Sequence, residues 1–200
     1  MIGIQPVKQM KKSYLLGLIL GATILTARAD IIPTLSSTTP TGSNFTWNYN
    51  SNLTVDQQVN TGNFFTIYDF GNFVSGSNIQ PTGWTFSSSL VGINPSLVTP
   101  ADNGAVLNLT WTYTGSTPIT TIGSLGTFSV VANTNQLGSS DFASAATRSG
   151  GPNAGTEVDN VGVVSVPVPE MSALFPILSV CGAGLLSLVP SLLRRRATAS

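Results

Sequence analysis

The sequence predicts an all-β fold, an antiparallel β-sandwich carried between two apolar flanking segments. Apolar and polar side chains alternate in short stretches from residue 44 to residue 166. Turn signals recur about every eight to twelve residues in this region, and no amphipathic helical pattern is present. Seven or eight short strands with this spacing are typical of a sandwich, and both immunoglobulin-like and jelly-roll arrangements fit them.

Residues 106–114 give the clearest strand. Four apolar side chains alternate there with three polar ones: Leu107, Leu109, Trp111 and Tyr113 against Asn108, Thr110 and Thr112. The other predicted strands are residues 44–50, 63–70, 84–90 and 158–166, with a weaker candidate at 53–59. The segment 63–70 is apolar on both faces, so we expect it at the centre of a sheet.

Three further segments have weaker patterns. Residues 30–43 are rich in Thr, Ser and Pro and are interpreted as an extended lead-in to a domain spanning 44–166. Residues 117–122 and 125–131 predict a hairpin around Gly123 and Ser124. The Ser-, Ala-, Asn- and Gly-rich stretch 132–154 is interpreted as an irregular loop.

Residues 1–29 have the organisation of a secretory signal peptide. Three lysines precede an apolar segment from Tyr14 to Leu25, and Ala27-Arg28-Ala29 offers a small-x-small cleavage site before Asp30. An apolar segment this short does not span a bilayer as a stable helix. Cleavage before Asp30 is therefore expected, with an uncleaved N-terminal anchor as the alternative.

The C-terminal segment predicts a transmembrane helix. Residues 171–193 carry no charge, and 23 residues at about 1.5 Å each span the ~30 Å hydrocarbon core. Arg194, Arg195 and Arg196 follow directly and would hold that end on the cytoplasmic side. The alternative is a buried core helix.

The motif at 168–172 reads Val-Pro-Glu-Met-Ser, followed by the apolar segment and the arginine cluster. With these three parts in this order, residues 167–200 resemble the PEP-CTERM sorting signal of Gram-negative envelope proteins. Pro169 and Glu170 match the family's Pro-Glu-Pro, and Met171 stands where the family has its second proline. The resemblance implies processing by an exosortase, a membrane-embedded enzyme similar to a cysteine transpeptidase. It also implies passage through the membrane to the cell surface or the extracellular matrix.

Charge and cysteine usage exclude several partners. The exported part, residues 30–169, has seven carboxylates against Arg148 alone, which gives it a net charge of −6. An acidic, lysine-free surface repels nucleic acid and anionic lipid. Cys181, the single cysteine, lies in the apolar tail, where a structural role is favoured over lipidation, so the exported part has no disulfide.

Most catalytic chemistry is absent from the exported part. The chain has no histidine, and the exported part also lacks lysine and cysteine, which removes triad, thiol, Schiff-base and typical zinc machinery. Carboxylates remain, and a glycosidase needs two of them in suitable geometry. The candidates are Asp69, Asp102, Asp141, Glu157 and Asp159. Glu157, Asp159 and Asn160, with Asp102 and Asn103 as further oxygen donors, are weak candidates for calcium ligands, and an ordinary turn is favoured over a site.

Aromatic side chains raise the possibility of carbohydrate binding. Trp47, Trp84 and Trp111 each lie on the apolar face of an alternating strand, which favours a core position over an exposed stacking platform. The sequence therefore predicts an exported protein that is not an enzyme, needs no cofactor, and has a structural or adhesive role associated with exopolysaccharide. A membrane-anchored carbohydrate-binding module and a carboxylate glycosidase are the alternatives.

Overall fold

A computed structural model of the chain describes residues 30–168. The predicted signal peptide with Ala27 and Ala29 lies outside the described residues, as do the sorting-motif residues from Pro169 onward, the apolar tail and Arg194–Arg196. Within residues 30–168 there is no helix, and so none long and apolar enough to cross a membrane.

Nine strands make up the described part of the chain. They are β1 (Ile31–Thr41), β2 (Asn44–Leu53), β3 (Gln57–Gln58), β4 (Phe64–Ile67), β5 (Trp84–Ser89), β6 (Asn108–Tyr113), β7 (Gly123–Ala132), β8 (Leu137–Arg148) and β9 (Glu157–Pro167). All of their pairings are antiparallel, which confirms the all-β antiparallel prediction for this region.

The strands form two sheets. The first has the order β1-β2-β7, and the second contains β3, β4, β5, β6, β8 and β9. In the second sheet β8 pairs along its length with β9, while β3 and β4 pair in succession with its other edge. Three and six strands differ from the four and three of a constant-type immunoglobulin sandwich.

An aromatic core joins the two sheets. The Phe128 ring on β7 lies 5.0 Å from the Phe65 ring on β4 and 5.8 Å from Trp111 on β6, centroid to centroid. Phe65 also stacks on Trp111 at 5.1 Å. Trp47, Trp84 and Trp111 are 0%, 5% and 0% exposed, so the predicted core position of the tryptophans is confirmed. The molecule is therefore sandwich-like, with its hydrophobic core between the sheets.

The predicted irregular loop at 132–154 is wrong, because residues 137–148 form β8, which pairs with three strands, more than any other described strand. Its central residues are small and buried: Ala143, Ser144, Ala145 and Ala146. Because these side chains are small, β1 of the first sheet can lie close to β8, and Ser144 Oγ donates to the Ile31 carbonyl at 2.7 Å. Alanine and serine have low β-propensity, so burial on both faces overrides the local preference here.

The predicted hairpin at 117–131 is also wrong. Gly123 and Ser124 lie inside the single strand β7, and the only ladder contact within 117–122 is an isolated bridge between Ile119 and Val59. Gly123 and Gly126 adopt positive φ angles of 107° and 111°, and the register with β2 shifts between them. The glycines thus bend a continuous strand rather than reverse the chain.

Residues 30–43, expected as a lead-in, belong to the sandwich. Residues 31–41 form β1, which pairs with β2 from Ile31↔Leu53 to Thr41↔Asn44. The Ser- and Thr-rich composition reflects an edge strand with an exposed face, and Pro33 and Pro40 are tolerated at such an edge. The described domain accordingly begins at Asp30.

Candidate functional site

The outer face of the six-stranded sheet is covered by the connection between β5 and β6, residues 90–107, which we call the covering loop. Tyr68 Oη donates to the Ile93 carbonyl at 2.7 Å, and Thr66 Oγ1 lies 3.2 Å from the same carbonyl. Thr66 Oγ1 is also 2.8 Å from Thr110 Oγ1. The polar row of β6 is therefore buried at Asn108 and Thr110.

Burial under the loop affects Tyr68. Desolvation raises the pKa of its phenol above the ordinary range, and the negative charges of Asp102 and Asp141 add to the effect. The hydroxyl therefore stays protonated and acts as a donor to the loop at neutral pH. No sequence pattern predicts this contact, since Tyr68 is one of several aromatic residues in the apolar segment 63–70.

Four of the five carboxylates considered for catalysis accept backbone N–H groups of the covering loop. The bonds are Gly92 N to Asp102 Oδ2 (3.2 Å), Leu97 N to Asp159 Oδ2 (2.6 Å), Ala101 N to Asp141 Oδ2 (2.7 Å) and Asn103 N to Asp69 Oδ1 (2.9 Å). Hydrogen bonds to ionised acceptors are stronger than neutral ones. Asp69, Asp141 and Asp159 therefore anchor the covering loop to the rest of the domain, whereas the bond between Gly92 and Asp102 lies within the loop itself.

Asn108 is the central link of this network. Its Oδ1 accepts from Asp69 N at 2.9 Å, and its Nδ2 donates to Asp102 Oδ1 at 3.0 Å and to the Leu90 carbonyl at 3.3 Å. The side chain is 1% exposed. Because both the oxygen and the nitrogen of this buried side-chain amide are hydrogen-bonded, Asn108 holds the start of the covering loop against β6.

The three weak calcium candidates are separated by the structure. Ser96 Oγ is 3.0 Å from Glu157 Oε1 and 3.5 Å from Asp159 Oδ2, so these two carboxylates converge on the covering loop. Asn160, the next residue in β9, lies on the opposite face of the sheet. Among residues 30–168 no group of three or more His, Cys, Asp or Glu side chains is placed to hold a metal ion.

Asp159 itself is buried, and desolvation raises the pKa of its carboxyl. The Leu97 N–H opposes that shift, and the nearby Glu157 adds to it. Its Oδ1 atom is buried and has no hydrogen-bond partner among the described residues.

A cleft of about 230 Å³ lies beside the end of β9. Its lining includes Asp69, Asn103 and Ser140 from the anchored region together with Val166 and Val168. Asp69 already accepts from Asn103 N and, through Oδ2, from Ser140 Oγ at 3.2 Å. The volume is below the range of about 300–1,000 Å³ that is usual for small-molecule sites.

The chain is hydrogen-bonded to the domain as far as Val168. Val168 N donates to the Gln136 carbonyl at 3.0 Å, and Asn72 Nδ2 donates to the Val168 carbonyl at 3.0 Å. Gly71 N donates to the Pro167 carbonyl at 3.3 Å. The fold thus includes the residue directly before Pro169.

At the other end, Asp30 is the one predicted cleavage-site residue within the described part. It is 0% exposed, and its Oδ1 accepts from Ile31 N at 2.7 Å. Its Oδ2 is buried and has no hydrogen-bond partner within residues 30–168. Desolvation raises the pKa of Asp30 to about 8, against the opposing effect of the Ile31 N–H.

Comparison with known proteins gives no assignment: no family model, no curated protein and no solved structure matches this chain.

Proposed function

We propose that the chain is an exported protein of the cell surface or extracellular matrix, sorted through the PEP-CTERM-like tail and without enzymatic activity of its own. The observation that carries the proposal is the direct junction between fold and motif. β9 ends at Pro167, Val168 is hydrogen-bonded to the domain, and Pro169-Glu170-Met171 follows at once. In this proposal residues 171–193 span the membrane and Arg194–Arg196 fix the orientation.

The junction suits processing at the membrane surface. Proline disfavours helix in its predecessor, so the chain leaves the domain extended. Two residues, Pro169 and Glu170, separate Val168 from the apolar segment and span at most about 7 Å. The end of the domain that carries Val168 therefore faces the bilayer, and an exosortase-like partner reaches the motif there.

The role of the carboxylates supports a structural rather than catalytic domain. Asp69, Asp102, Asp141 and Asp159 each accept a backbone N–H of the covering loop. A general acid or nucleophile must instead present its oxygen to a substrate. The buried tryptophans likewise offer no stacking platform for sugar rings.

Contact with exopolysaccharide is the role we assign to the exposed hydroxyl rows. The rows lie on two edge strands: Thr34, Ser36, Ser37, Thr39 and Thr41 on β1, and Thr85, Ser87, Ser88 and Ser89 on β5. Hydroxyls both donate and accept, which suits the hydroxyl-covered surface of a polysaccharide. Co-sedimentation of the mature protein with exopolysaccharide from its own host tests this part, and failure to co-sediment removes it.

The sorting proposal is tested by intact mass of the protein from membrane and medium fractions of the native host. A released product ending near Glu170 is expected. Replacing Pro169 and Glu170 by alanine should leave the protein in the membrane with residues 171–200 attached. Ser191→Ala, inside the apolar segment, is the matched control and should be released like the parent. A parent protein that keeps its tail in the membrane would refute the proposal.

A further inference from the structure

The edge strands of the two sheets differ in how they are protected against pairing with another chain. Natural sheets blunt an exposed edge with prolines, bulges, short strands, charges or a covering segment. β1 carries Pro33 and Pro40, and its register with β2 shifts once. β3 and β5 are only two and six residues long, and β7 is bridged on its outer side by Phe73 and Ile79. Each of these edges therefore has a protective feature.

β9 has a long edge that lacks these features over most of its length. It pairs with β8 without interruption from Thr147↔Glu157 to Leu137↔Pro167, so it contains no bulge. Residues 160–166 read Asn-Val-Gly-Val-Val-Ser-Val, with no charge and no proline. An uncharged stretch of this length, rich in β-branched side chains, is the kind of segment that accepts a further strand.

The side of β9 that faces away from β8, which we call the free edge of β9, has almost no backbone partners within residues 30–168. In an antiparallel ladder with one neighbour, every second residue points its N–H and C=O away from that neighbour. Apart from the ladder with β8, the one hydrogen bond to a backbone group of residues 158–166 joins Tyr49 Oη to the Ser165 carbonyl at 2.8 Å. β1 does not act as the missing strand: it forms no ladder with β9, and a cleft of about 250 Å³ lies between residues 33–35 and 163–165.

The side chains along the free edge of β9 are complementary to those of an identical strand. Val163 is 69% exposed, and Val161 is partly buried on the same face. Glu157 and Asp159 lie at the start of the strand, so its charge is confined to one end. Antiparallel pairing centred within residues 160–166 places the acidic end of each strand beside the uncharged end of the other. The same pairing brings the valines of the two strands together.

We propose that the free edge of β9 pairs antiparallel with the same edge of a second copy of this chain, forming a two-fold symmetric dimer with one sheet continuous across both molecules. The contact is isologous, so it closes at two copies and does not extend into a fibre. Pairing with β1 of another copy is disfavoured by the prolines and the bulge of β1. A strand edge buries less than the ~1,200 Å² of a standard interface, so the dimer is reversible.

The dimer concerns what the domain does after export, which goes beyond the sorting function. A dimer carries two copies of the hydroxyl rows on β1 and β5. Two weak contacts with the same polysaccharide chain reinforce each other without any new contact being made. This consequence rests on the proposed exopolysaccharide role, whereas the dimer itself does not.

The test measures the mass of the full chain by sedimentation equilibrium in a density-matched detergent over a range of protein concentrations. We expect a reversible equilibrium between monomer and dimer. Val163→Lys should weaken dimerisation at least about tenfold, because a lysine on an edge strand opposes pairing. Ile79→Lys is the matched control, since Ile79 is 67% exposed and lies beside β7, at the edge of the first sheet opposite β1. Its dimerisation should be unchanged.

The outcomes separate the free edge of β9 from other routes of association. The apolar residues 171–193 are present in every variant, so association through them would survive Val163→Lys and would overturn the proposal. A monomer at every concentration, or assemblies larger than a dimer, would also overturn it. The midpoint of urea unfolding, followed by tryptophan fluorescence, should be nearly the same for Val163→Lys and the parent because Val163 is exposed.

A second measurement uses the parent chain alone. Hydrogen exchange at the outward-facing amides of residues 158–166 should slow as the protein concentration rises, because dimerisation protects them. Exchange in the exposed residues 151–156, between β8 and β9, should not change. Exchange along β9 that is independent of concentration would contradict the proposal. Neither measurement depends on cleavage of the tail, so failure here is distinguishable from failure of the sorting proposal.

Discussion

Removing the Asn108 side chain should release the covering loop. Asn108→Ala deprives three groups of their partners: Asp69 N, Asp102 Oδ1 and the Leu90 carbonyl. An unsatisfied buried donor costs about 1–3 kcal/mol, and this applies most directly to Asp69 N. Asp102 and Leu90 are exposed and can turn to water, so each loses about 0.5–1 kcal/mol. The expected destabilisation is about 2–5 kcal/mol.

Two measurements check this expectation. Urea unfolding gives the change in free energy, and hydrogen exchange gives the local effect, with faster exchange expected at Gly92 and Asn103. Asn153→Ala is the matched control, because Asn153 is exposed in the turn between β8 and β9 and should change stability by less than about 0.5 kcal/mol. A similarly small effect of Asn108→Ala, or unchanged exchange in the loop, would refute the anchoring argument.

Three further predictions concern packing and charge. Gly162→Ala places a Cβ 2.6 Å from Phe142 Cε1 and should cost about 1–3 kcal/mol in urea unfolding, whereas Gly104→Ala meets no atom within 4 Å and should be near neutral. Trp111→Ala should cost about 3–5 kcal/mol by the same assay, because the ring is buried among aromatic neighbours; a loss below 1 kcal/mol would show that it is not a core residue. As long as Ala29 remains attached, the Asp30 carboxyl has a pKa of about 8 in the folded chain against about 3.9 in the unfolded chain. The stability that this carboxyl contributes is therefore fully present below pH 4 and is lost as pH rises towards 8. Asp30→Asn should remove that slope in urea midpoints measured from pH 4 to 8, and an unchanged slope would contradict the assignment.

Strands with strong alternation were predictable from sequence. The pattern of aromatic and polar residues located β2, β4 and β6, and the central position of β4 followed from its apolar residues on both faces. β9 was located by its valines. In these strands local preference and burial agree, so the chain's own pattern is sufficient.

The strand β8 was not predictable, because its determinants lie elsewhere in the chain. Ala143 and Ala145 lie on the outer face beside β4, and Ser144 faces β1, where its hydroxyl bonds to the Ile31 carbonyl. Small residues are required where neighbouring layers approach closely, and the same residues in isolation are typical of a loop. Only the positions of β1 and β4 distinguish the two cases.

The role of the acidic residues depends on the covering loop in the same way. From sequence, five scattered carboxylates suggest either solvated turns or catalytic groups. What separates an anchor from a catalytic carboxyl is the partner that occupies its oxygen, and here that partner is a backbone N–H of the loop at Gly92, Leu97, Ala101 and Asn103. The loop has no periodic pattern, so its path over the sheet was not foreseeable. Once that path is known, the acids are explained as hydrogen-bond acceptors for loop amides that have no strand to pair with.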